Sequence, residues 1–237
     1  MGMNVLITGI SSGLGMGLAT TALKESAKIF AMNRSLPNWH KGSGQLRFES
    51  VDLSKFEQIP TSLDLLLEET QKLDLVVLNS GIICEINDMK DTSLDEIDRL
   101  MNVNVWANKV ILDALFLKKM EIKQVVAISS GASINGNRGW NAYSLSKSTL
   151  NMLIKLYAEE NKSTHFTSLA PGLIDSPMQE YLCSVPDDKR FSPLQILKKA
   201  RNTDRMPKPL DAGEFVWSKI KELFQFPSGS YIDVRDL

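Results

Sequence analysis

Met3-Asn-Val-Leu-Ile-Thr8-Gly9-Ile-Ser-Ser-Gly13-Leu-Gly15 is the stretch that decides the fold of this chain. Residues 3–8 predict a short buried strand, the glycines predict a tight turn, and the apolar run after them predicts a helix. Strand, glycine turn and helix form the pattern of a dinucleotide site, in which N–H groups at the helix amino terminus face phosphate oxygens. We expect Gly9 to permit the turn, Gly13 to let a pyrophosphate approach the backbone, and Gly15 to allow close helix packing.

The same turn also fits a second pattern. Gly9-Ile-Ser11-Ser-Gly13 reads as Gly-x-Ser-x-Gly between a strand and a helix, which is the nucleophile elbow of serine hydrolases. Ser11 would then need an acid and a histidine later in the chain, yet the last histidine is His165 and no base follows it. A serine hydrolase therefore remains as a remote alternative.

Outward from this turn, apolar strand-like runs alternate with amphipathic stretches, which is the pattern of a parallel sheet covered by helices on both faces. We predict an α/β fold of the Rossmann type, doubly wound, with a seven-stranded and mostly parallel sheet, in one domain over residues 1–237. Strands are predicted near 3–8, 28–32, 46–51, 74–78, 123–129, 164–170 and 229–233. Helices are predicted near 13–25, 55–72, 93–118, 141–160, 192–201 and 210–224.

Composition narrows the classes of partner. The 27 basic and 28 acidic residues leave a net charge of −1, so we expect no nucleic acid and no membrane surface as a partner. Cys84 and Cys183 show neither metal-ligand spacing nor a disulfide framework, and His40 and His165 are isolated, so no metal site is predicted. Without a signal peptide or an apolar run of about 20 residues, the chain is predicted to be cytoplasmic.

A second motif, Gly139-Trp-Asn-Ala-Tyr143-Ser-Leu-Ser-Lys147, predicts acid catalysis. Residues four apart on a helix lie side by side, so a phenol and an ammonium become neighbours. A phenol with a pKa of about 10 must lose roughly three units to exchange its proton near neutrality. We expect the charge of Lys147 to lower the pKa of Tyr143 by that amount.

These motifs occur in the order that characterises the short-chain dehydrogenase/reductase family, and the chain resembles that family over nearly its whole length. Each remaining motif follows a predicted strand or lies on a predicted helix. They are Asp52 after the strand near 46–51, Asn79-Ser80-Gly81 after Leu75-Val-Val-Leu78, Asn104 in Met101-Asn-Val-Asn104-Val, Ser130 thirteen residues before Tyr143, and Pro171-Gly-Leu-Ile-Asp-Ser176.

The resemblance implies a catalytic group of four residues, in which a reduced nicotinamide delivers hydride to a carbonyl carbon. Tyr143 is expected to donate the proton, and Ser130 to hold the carbonyl oxygen. Lys147 is expected to lower the tyrosine pKa and to bind the nicotinamide ribose. Asn104 is expected to anchor a water chain that returns protons from bulk solvent.

The resemblance also implies a cofactor site, and the end of the second strand favours NADP(H) over NAD(H). No acidic residue is present there to repel a 2′-phosphate, whereas Arg34 offers a planar fork that matches phosphate. The predicted cofactor contacts are Gly9, Ser11, Ser12, Gly13, Leu14, Asn33, Arg34, Asp52, Leu53, Asn79, Ser80, Gly81, Tyr143, Lys147, Pro171, Gly172, Ile174 and Ser176.

The carboxyl half contains Gly139-Trp-x-Ala-Tyr143, the run from Ala170 to Gln179 and the ending Gly229-Ser-Tyr-Ile-Asp233. In these stretches it looks like the branch of sepiapterin reductases and benzil reductases. The expected partner is therefore a small carbonyl compound, and we predict reduction of a vicinal dicarbonyl on a pterin side chain or an aryl diketone. Trp140 and Met178 are predicted to line an aromatic pocket, together with Leu173 and Leu182. Asp233 is either the carboxylate that holds a pterin edge or a surface residue that ends the last strand.

Two other activities remain open at this point. The chain is either a dehydrogenase or reductase of another small alcohol or ketone, or a catalytically silent sensor that binds NADP(H). Association is also predicted, because the helices beginning near Asn102 and Asn141 are apolar on more than one face. We expect a homodimer, with a homotetramer as the second form and burial inside the monomer as the alternative. The apolar residues concerned are Val103, Val110, Ile111, Leu115, Leu150, Leu153, Ile154 and Tyr157.

Overall fold

The computed structural model describes residues 2–40, 42, 44–186 and 189–237. Its main sheet has seven strands that all run parallel, in the order β3-β2-β1-β4-β5-β6-β7. The strands are β1 Asn4–Thr8, β2 Lys28–Asn33, β3 Leu46–Ser50, β4 Leu75–Leu78, β5 Gln124–Ile128, β6 His165–Ala170 and β7 Ser230–Asp233. The predicted doubly wound α/β fold is confirmed.

Eight α-helices connect or flank these strands in the described part of the chain. They are α1 Gly13–Lys24, α2 Ile59–Leu66, α3 Leu94–Met101, α4 Ala107–Leu117, α5 Asn141–Glu160, α6 Pro177–Ser184, α7 Ser192–Ala200 and α8 Pro209–Lys219. Helices α2, α4 and α5 share one apolar core with the sheet, and α1 and α8 share a second core on the opposite face. Covered on both faces, β4 and β5 consist of buried residues only, as the continuous apolar runs predict.

The boundaries differ from the sequence prediction in three places. The helix predicted near 55–72 ends at Leu66, and Lys72–Leu73 instead pairs in parallel with Glu121–Ile122 in a separate two-stranded ribbon. The helix predicted near 93–118 contains a π-helical turn, Asn102–Trp106. Helix α6 was not predicted. Its signal is local, because Ser176 caps its amino end and Pro177 occupies its first turn, where a proline is favoured.

The segment Leu94–Leu117, which joins α3, the π-turn and α4, is 24 residues long and has the length and apolar composition of a membrane span. Half of its most apolar stretch is buried inside the fold. Core helices of soluble proteins have the same properties, and packing against α5 and the sheet accounts for its buried apolar residues, whereas Leu94 and Leu117 at its two ends are exposed.

Much of the apolar surface on α4 and α5 belongs to the core of a single subunit. Ile111, Leu115, Leu150 and Ile154 are fully buried, and Tyr157 is nearly so. A separate apolar stripe on α5 stays exposed, formed by Leu145, Met152 and Leu156, whose exposed fractions are 45%, 55% and 53%. Residues spaced by seven and four positions lie on one side of a helix, so the stripe is a candidate contact surface.

Helices α1 and α8 approach each other through two glycines, which corrects the role expected for Gly15. A Cβ at Gly17 would lie 1.8 Å from the carbonyl oxygen of Pro209, and a Cβ at Gly213 would lie 2.2 Å from the carbonyl carbon of Gly17. At Gly15 a Cβ would instead lie 2.1 Å from the carbonyl oxygen of Gly9, inside the turn itself. Gly15 therefore permits the turn to close, and Gly17 permits the helices to pack.

We expect Gly17→Ala to lower the free energy of unfolding by about 2 kcal/mol, because the added methyl group forces two packed helices apart. Urea unfolding followed by circular dichroism measures the change. Gly136→Ala is the matched control, since a Cβ at Gly136 meets no atom within 4 Å. Equal stability of the two variants would contradict the close helix contact.

Candidate active site

The predicted site residues meet in one cleft with a volume of about 760 Å³. The cleft lies at the carboxyl ends of the strands, where ligands bind in open parallel sheets. Every residue predicted to contact cofactor or substrate lines it, and so do Ser130, Tyr143 and Lys147. Asn104 is buried outside the lining.

The glycine turn after β1 is held by hydrogen bonds from the neighbouring strand. Gly9 has a φ of 75°, in the region that favours glycine. The side-chain amide of Asn79 donates to the carbonyl oxygens of Thr8 and Gly9, at 3.0 and 2.9 Å. In return, the hydroxyl of Thr8 accepts from the backbone N–H groups of Asn79 and Ser80, each at 3.0 Å. Asn79 thus ties the turns after β1 and β4 together.

The amino end of α1 has backbone N–H groups that can bind an anion. Ser12 occupies its N-cap position without a side-chain hydrogen bond to the helix, whereas Ser93 and Ser176 cap α3 and α6. The first N–H groups of α1 are therefore left for another acceptor. A Cβ at Gly13 would lie 3.2 Å from the Cβ of Ser176, so the glycine also keeps the space between the two segments open.

At one end of the cleft, Arg34 follows β2 with its side chain exposed. The loop is held by contacts that do not use the guanidinium. The hydroxyl of Ser50 donates to the carbonyl oxygen of Arg34 at 2.9 Å, and the side chain of Asn33 donates to the carbonyl oxygen of Ser35 at 3.0 Å. Hydrogen bonds from Ser54 hold the pKa of the neighbouring Asp52 below its usual value, so that side chain is a carboxylate.

At the base of the cleft, Tyr143 and Lys147 lie side by side on α5, but the lysine does not act as expected. The Nζ of Lys147 donates to the carbonyl oxygen of Ile128 at 2.7 Å and lies 5.8 Å from the centre of the Tyr143 ring. Burial raises the pKa of Tyr143 to about 12, against an opposing hydrogen bond with Ser130, and lowers the pKa of Lys147 to about 8. The expected drop in the tyrosine pKa is therefore wrong for this arrangement, because removal from water outweighs the hydrogen bond with Ser130 and the Nζ of Lys147 is directed toward Ile128.

Asn104 lies in the π-turn and is fully buried. Its Oδ1 accepts from the N–H of Ile82 at 2.8 Å, and its Nδ2 donates to the carbonyl oxygen of Ile82 and the hydroxyl of Ser146, each at 3.0 Å. Its own carbonyl oxygen accepts from the side chain of Asn108. The side chain thus joins the loop after β4 to α5, directly behind the cleft.

At the substrate end, Trp140 and Leu182 are buried in an apolar cluster that also contains Tyr143, and Leu173 packs against that cluster. Trp140, Leu182, Leu173 and Met178 all line the cleft, as predicted. The carboxylate of Asp233, however, is engaged by Arg235, whose Nε and Nη2 donate to its two oxygens at 2.8 and 2.5 Å. This pairing keeps the pKa of Asp233 below its usual value and places a competing donor on each of its oxygens.

A model of the short chain dehydrogenase family matches residues 3–185. The chain belongs to this family. It is an oxidoreductase, therefore, and the resemblance stated from the sequence motifs is confirmed. Membership also argues against the serine hydrolase alternative. That alternative needs a histidine base after Ser11 in the chain, and His165 is the last histidine. His165 begins β6, and its Nε2 contacts the carbonyl oxygen of Phe226 at the end of the sheet opposite Ser11.

Among relatives of this short-chain dehydrogenase, a benzil reductase ((S)-benzoin forming) of Bacillus subtilis is 30% identical over 214 residues, which cover 86% of this chain and 87% of that protein. A benzil reductase ((S)-benzoin forming) of Bacillus cereus is 25% identical over an alignment of 252 positions, which covers 98% of this chain and 99% of that protein. The solved structure of the KRED1-Pglu enzyme superposes with a TM-score of 0.85 at 24% identity and covers 97% of this chain and all of that one, which supports the fold.

Sequence reasoning missed several residues of the dehydrogenase cleft, mostly on its substrate side. Gln179 belongs to α6, and Ile196 and Leu197 belong to α7. Arg205 and Arg235 add two cationic side chains to the lining. The helix near 192–201 was predicted and is α7, but α6 was not, although the Ser-Pro pair at 176–177 is a local signal for its start.

Proposed function

We propose that this protein reduces one carbonyl of a vicinal dicarbonyl of the benzil type to an alcohol with NADPH, and that residues 1–237 act as one domain. The observation that carries the proposal is that Ser130, Tyr143 and Lys147 lie together at the base of the cleft. Burial raises the pKa of Tyr143 to about 12, so the phenol is protonated throughout the physiological range and can give a proton to a nascent alkoxide.

The three side chains at the base of the cleft have separate roles in the proposal. Tyr143 donates the proton, and Ser130 donates a hydrogen bond to the carbonyl oxygen as negative charge develops there. Ser130 is suited to this role, because its hydroxyl oxygen accepts from the N–H of Ala132 at 3.1 Å. The same hydroxyl forms a hydrogen bond with the phenol of Tyr143, and the two contacts fix its position. Lys147 holds the cofactor ribose and keeps a positive charge close to the phenol below pH 8.

The remaining cleft fits a dinucleotide, which supplies the hydride when it is bound. The uncapped amino end of α1 and the open space at Gly13 suit a pyrophosphate, and the turns at Gly9 and Asn79 form the floor beneath it. We assign the remaining cofactor contacts to the residues that the sequence predicts for them, all of which line the cleft. Arg34 is free of the loop's own hydrogen bonds and suits a 2′-phosphate, which favours NADPH over NADH.

Asn104 is proposed to order the proton path behind the lysine. A Cβ built at Gly81 would lie 3.3 Å from the Oδ1 of Asn104 and 3.4 Å from the Nζ of Lys147, so the two side chains border the same small space. Protons lost by Tyr143 must be replaced from solvent, and polar groups on this side of the cleft are the available route.

The apolar substrate end favours an aryl diketone over a pterin. Trp140, Met178 and Leu182 offer flat and flexible apolar contacts to aromatic rings. Asp233, which a pterin would use, is already paired with Arg235. The names of the Bacillus relatives, which are benzil reductases, support the same substrate class.

Oxidation of NADPH in the presence of benzil, 1-phenyl-1,2-propanedione, sepiapterin and simple aldehydes tests this proposal. We expect turnover with the two aryl diketones and weaker or no turnover with sepiapterin. Turnover of sepiapterin above benzil would favour the pterin alternative, and turnover of simple ketones alone would favour another small substrate. Silence across the panel with retained NADPH binding would favour the catalytically silent sensor.

The pH dependence of the two directions should differ. With the pKa of Tyr143 at about 12 and that of Lys147 at about 8, the phenol keeps its proton and the lysine its charge from about pH 5 to 7, so kcat for diketone reduction is expected to stay nearly level over that range. The base form needed for alcohol oxidation grows about tenfold for each pH unit below that pKa, so kcat for oxidation should rise steeply. A reduction rate that falls with an apparent pKa near neutrality would instead show that the phenol pKa is lowered.

We also propose that the protein forms a homodimer through the exposed α5 stripe of Leu145, Met152 and Leu156. Sedimentation at micromolar concentration is expected to show a dimer for the native protein and a monomer for Met152→Glu, because a charge cannot be buried at the centre of an apolar interface without a partner. Leu65→Glu, on an exposed leucine of α2, is the matched control and should remain dimeric. A monomeric native protein would overturn this interface.

The cellular setting completes the proposal. Cys84 and Cys183 are both unpaired thiols, which is consistent with the reducing cytoplasm expected from the sequence. With a net charge of −1, we propose small-molecule partners and neither nucleic acid nor a membrane surface.

A further inference from the structure

We propose that Asn151 is a positioning residue, which holds the turn that carries Ser130 and thereby sets the geometry of proton and hydrogen-bond donation. The inference rests on the function proposed above for Ser130. It adds to it a side chain outside the cleft lining that controls whether Ser130 stands where the reaction needs it.

The first observation is a common helix face. Tyr143, Lys147 and Asn151 follow each other at intervals of four residues on α5, so each side chain lies beside the next along one side of the helix. All three contact the end of β5 or the short segment that follows it. Tyr143 is bonded to Ser130, and Lys147 donates to the carbonyl oxygen of Ile128.

Asn151 grips this segment on both sides of Ser130. Its Oδ1 accepts from the hydroxyl of Ser129 at 2.6 Å, and its Nδ2 donates to the hydroxyl of Ser133 at 2.8 Å. Ser129 precedes the proposed catalytic serine, and Ser133 closes the single helical turn Gly131–Ser133 after it. An amide has one acceptor and one donor end, so this side chain can bridge two hydroxyls in a defined orientation.

These two hydrogen bonds of Asn151 matter because Ser130 has few contacts of its own that fix its position. Its hydroxyl oxygen accepts from the N–H of Ala132 within the same turn, and the hydroxyl forms a hydrogen bond with Tyr143 at the base of the cleft. If the turn rotates, both contacts move with it. Ser129 and Ser133 are nearly buried, at 3% and 9% exposure, so water is a poor replacement for the lost amide.

A second hydrogen bond also attaches this turn to α5, so the effect of losing Asn151 can be measured in a folded protein. The hydroxyl of Ser148 donates to the carbonyl oxygen of Ser133 at 2.5 Å, so the turn stays attached to α5 when Asn151 is changed. We therefore expect Asn151→Ala to leave the fold in place and to alter the position of the turn.

The test is a double-mutant cycle on Asn151 and Ser130, measured as the single-turnover rate of NADPH oxidation with benzil or whichever carbonyl substrate the panel identifies. Asn151→Ala is expected to lower this rate by about ten- to a hundredfold, since small misplacements of reacting groups have effects of that size. The KM for NADPH should change by less than about twofold. In the Ser130→Ala background, Asn151→Ala should have almost no further effect, because the group it positions is gone.

Asn161→Ala is the matched control. Asn161 lies just after the end of α5, and its side chain donates only to the carbonyl oxygen of Tyr157, so its loss weakens the helix end without touching the turn. The rate should stay within about twofold of the native protein. If Asn151→Ala fails to fold, Ser129→Ala removes one side of the same bridge and should show a smaller loss that also disappears in the Ser130→Ala background.

The outcomes separate the inference from the proposed function. A Ser130→Ala variant with a native rate overturns the role of Ser130 itself. If Ser130→Ala is slow, the inference on Asn151 is overturned by a native rate in Asn151→Ala, or by an equal loss in both backgrounds, which would indicate a general effect on stability.

Discussion

Tyr143→Phe is expected to lower kcat for diketone reduction by about a thousandfold, which lies within the range of removing a general acid. The KM for NADPH is expected to change by no more than about threefold. The substitution removes one oxygen atom from a side chain that is 8% exposed, and it leaves the ring, its packing and the helix unchanged.

The size of the effect follows from the surroundings of the phenol. Burial raises its pKa to about 12, so the proton is on the oxygen at neutral pH, and Ser130 fixes its direction. In Tyr143→Phe the alkoxide that forms during reduction must take its proton from a less well placed donor. Lys147 is held by the carbonyl oxygen of Ile128 and is not aimed at the phenol position, so it is a poor substitute.

Tyr157→Phe is the matched control for this experiment. Tyr157 lies on the same helix, nearly buried, with its hydroxyl donating to Asp113 at 2.5 Å outside the cleft. Its kcat should stay within about twofold of the native value. More than about a tenth of native activity in Tyr143→Phe would show that another group donates the proton.

The second large effect is expected from Arg34→Asp, which should change the NADPH to NADH ratio of kcat/KM by about a hundredfold or more in favour of NADH. The guanidinium is replaced by a carboxylate that repels a 2′-phosphate and accepts hydrogen bonds from free ribose hydroxyls. A hundredfold change corresponds to about 2.7 kcal/mol of differential binding, a plausible value for exchanging an attractive for a repulsive charge.

The backbone at this position should survive the change. Ser50 holds the carbonyl oxygen of Arg34, and Asn33 holds that of Ser35, so neither bond depends on the guanidinium. The new carboxylate will stand near Asp52, which moderates the gain for NADH but not the loss for NADPH. Lys221→Asp, an exposed change of the same net charge on the segment Ile220–Gln225, should leave the ratio unaltered. An unchanged ratio in Arg34→Asp would remove the assignment of Arg34 to the 2′-phosphate.

Local patterns predicted the elements that carry the cofactor cleft. Strand, turn and helix around Gly9 follow from short-range sterics and apolar periodicity, and five of the seven strands contain runs of buried residues for the same reason. Helix α6 and the π-turn at Asn102–Trp106 were missed. The first is short and half exposed, so its apolar period is weak. The second is a change of winding inside a helix whose period continues on both sides.

The sequence by itself determined the family, the parallel sheet and the residues that line the cofactor side of the cleft, because these depend on motifs whose parts lie a few residues apart. Only the tertiary structure decided the electrostatics and the partners within the site. Burial raised the pKa of Tyr143 against the expected effect of Lys147, and Arg235 pairs with the carboxylate of Asp233. Asn151 met Ser129 from 22 positions away. Desolvation and such distant contacts arise when separate elements pack together, and no local pattern in the chain records them.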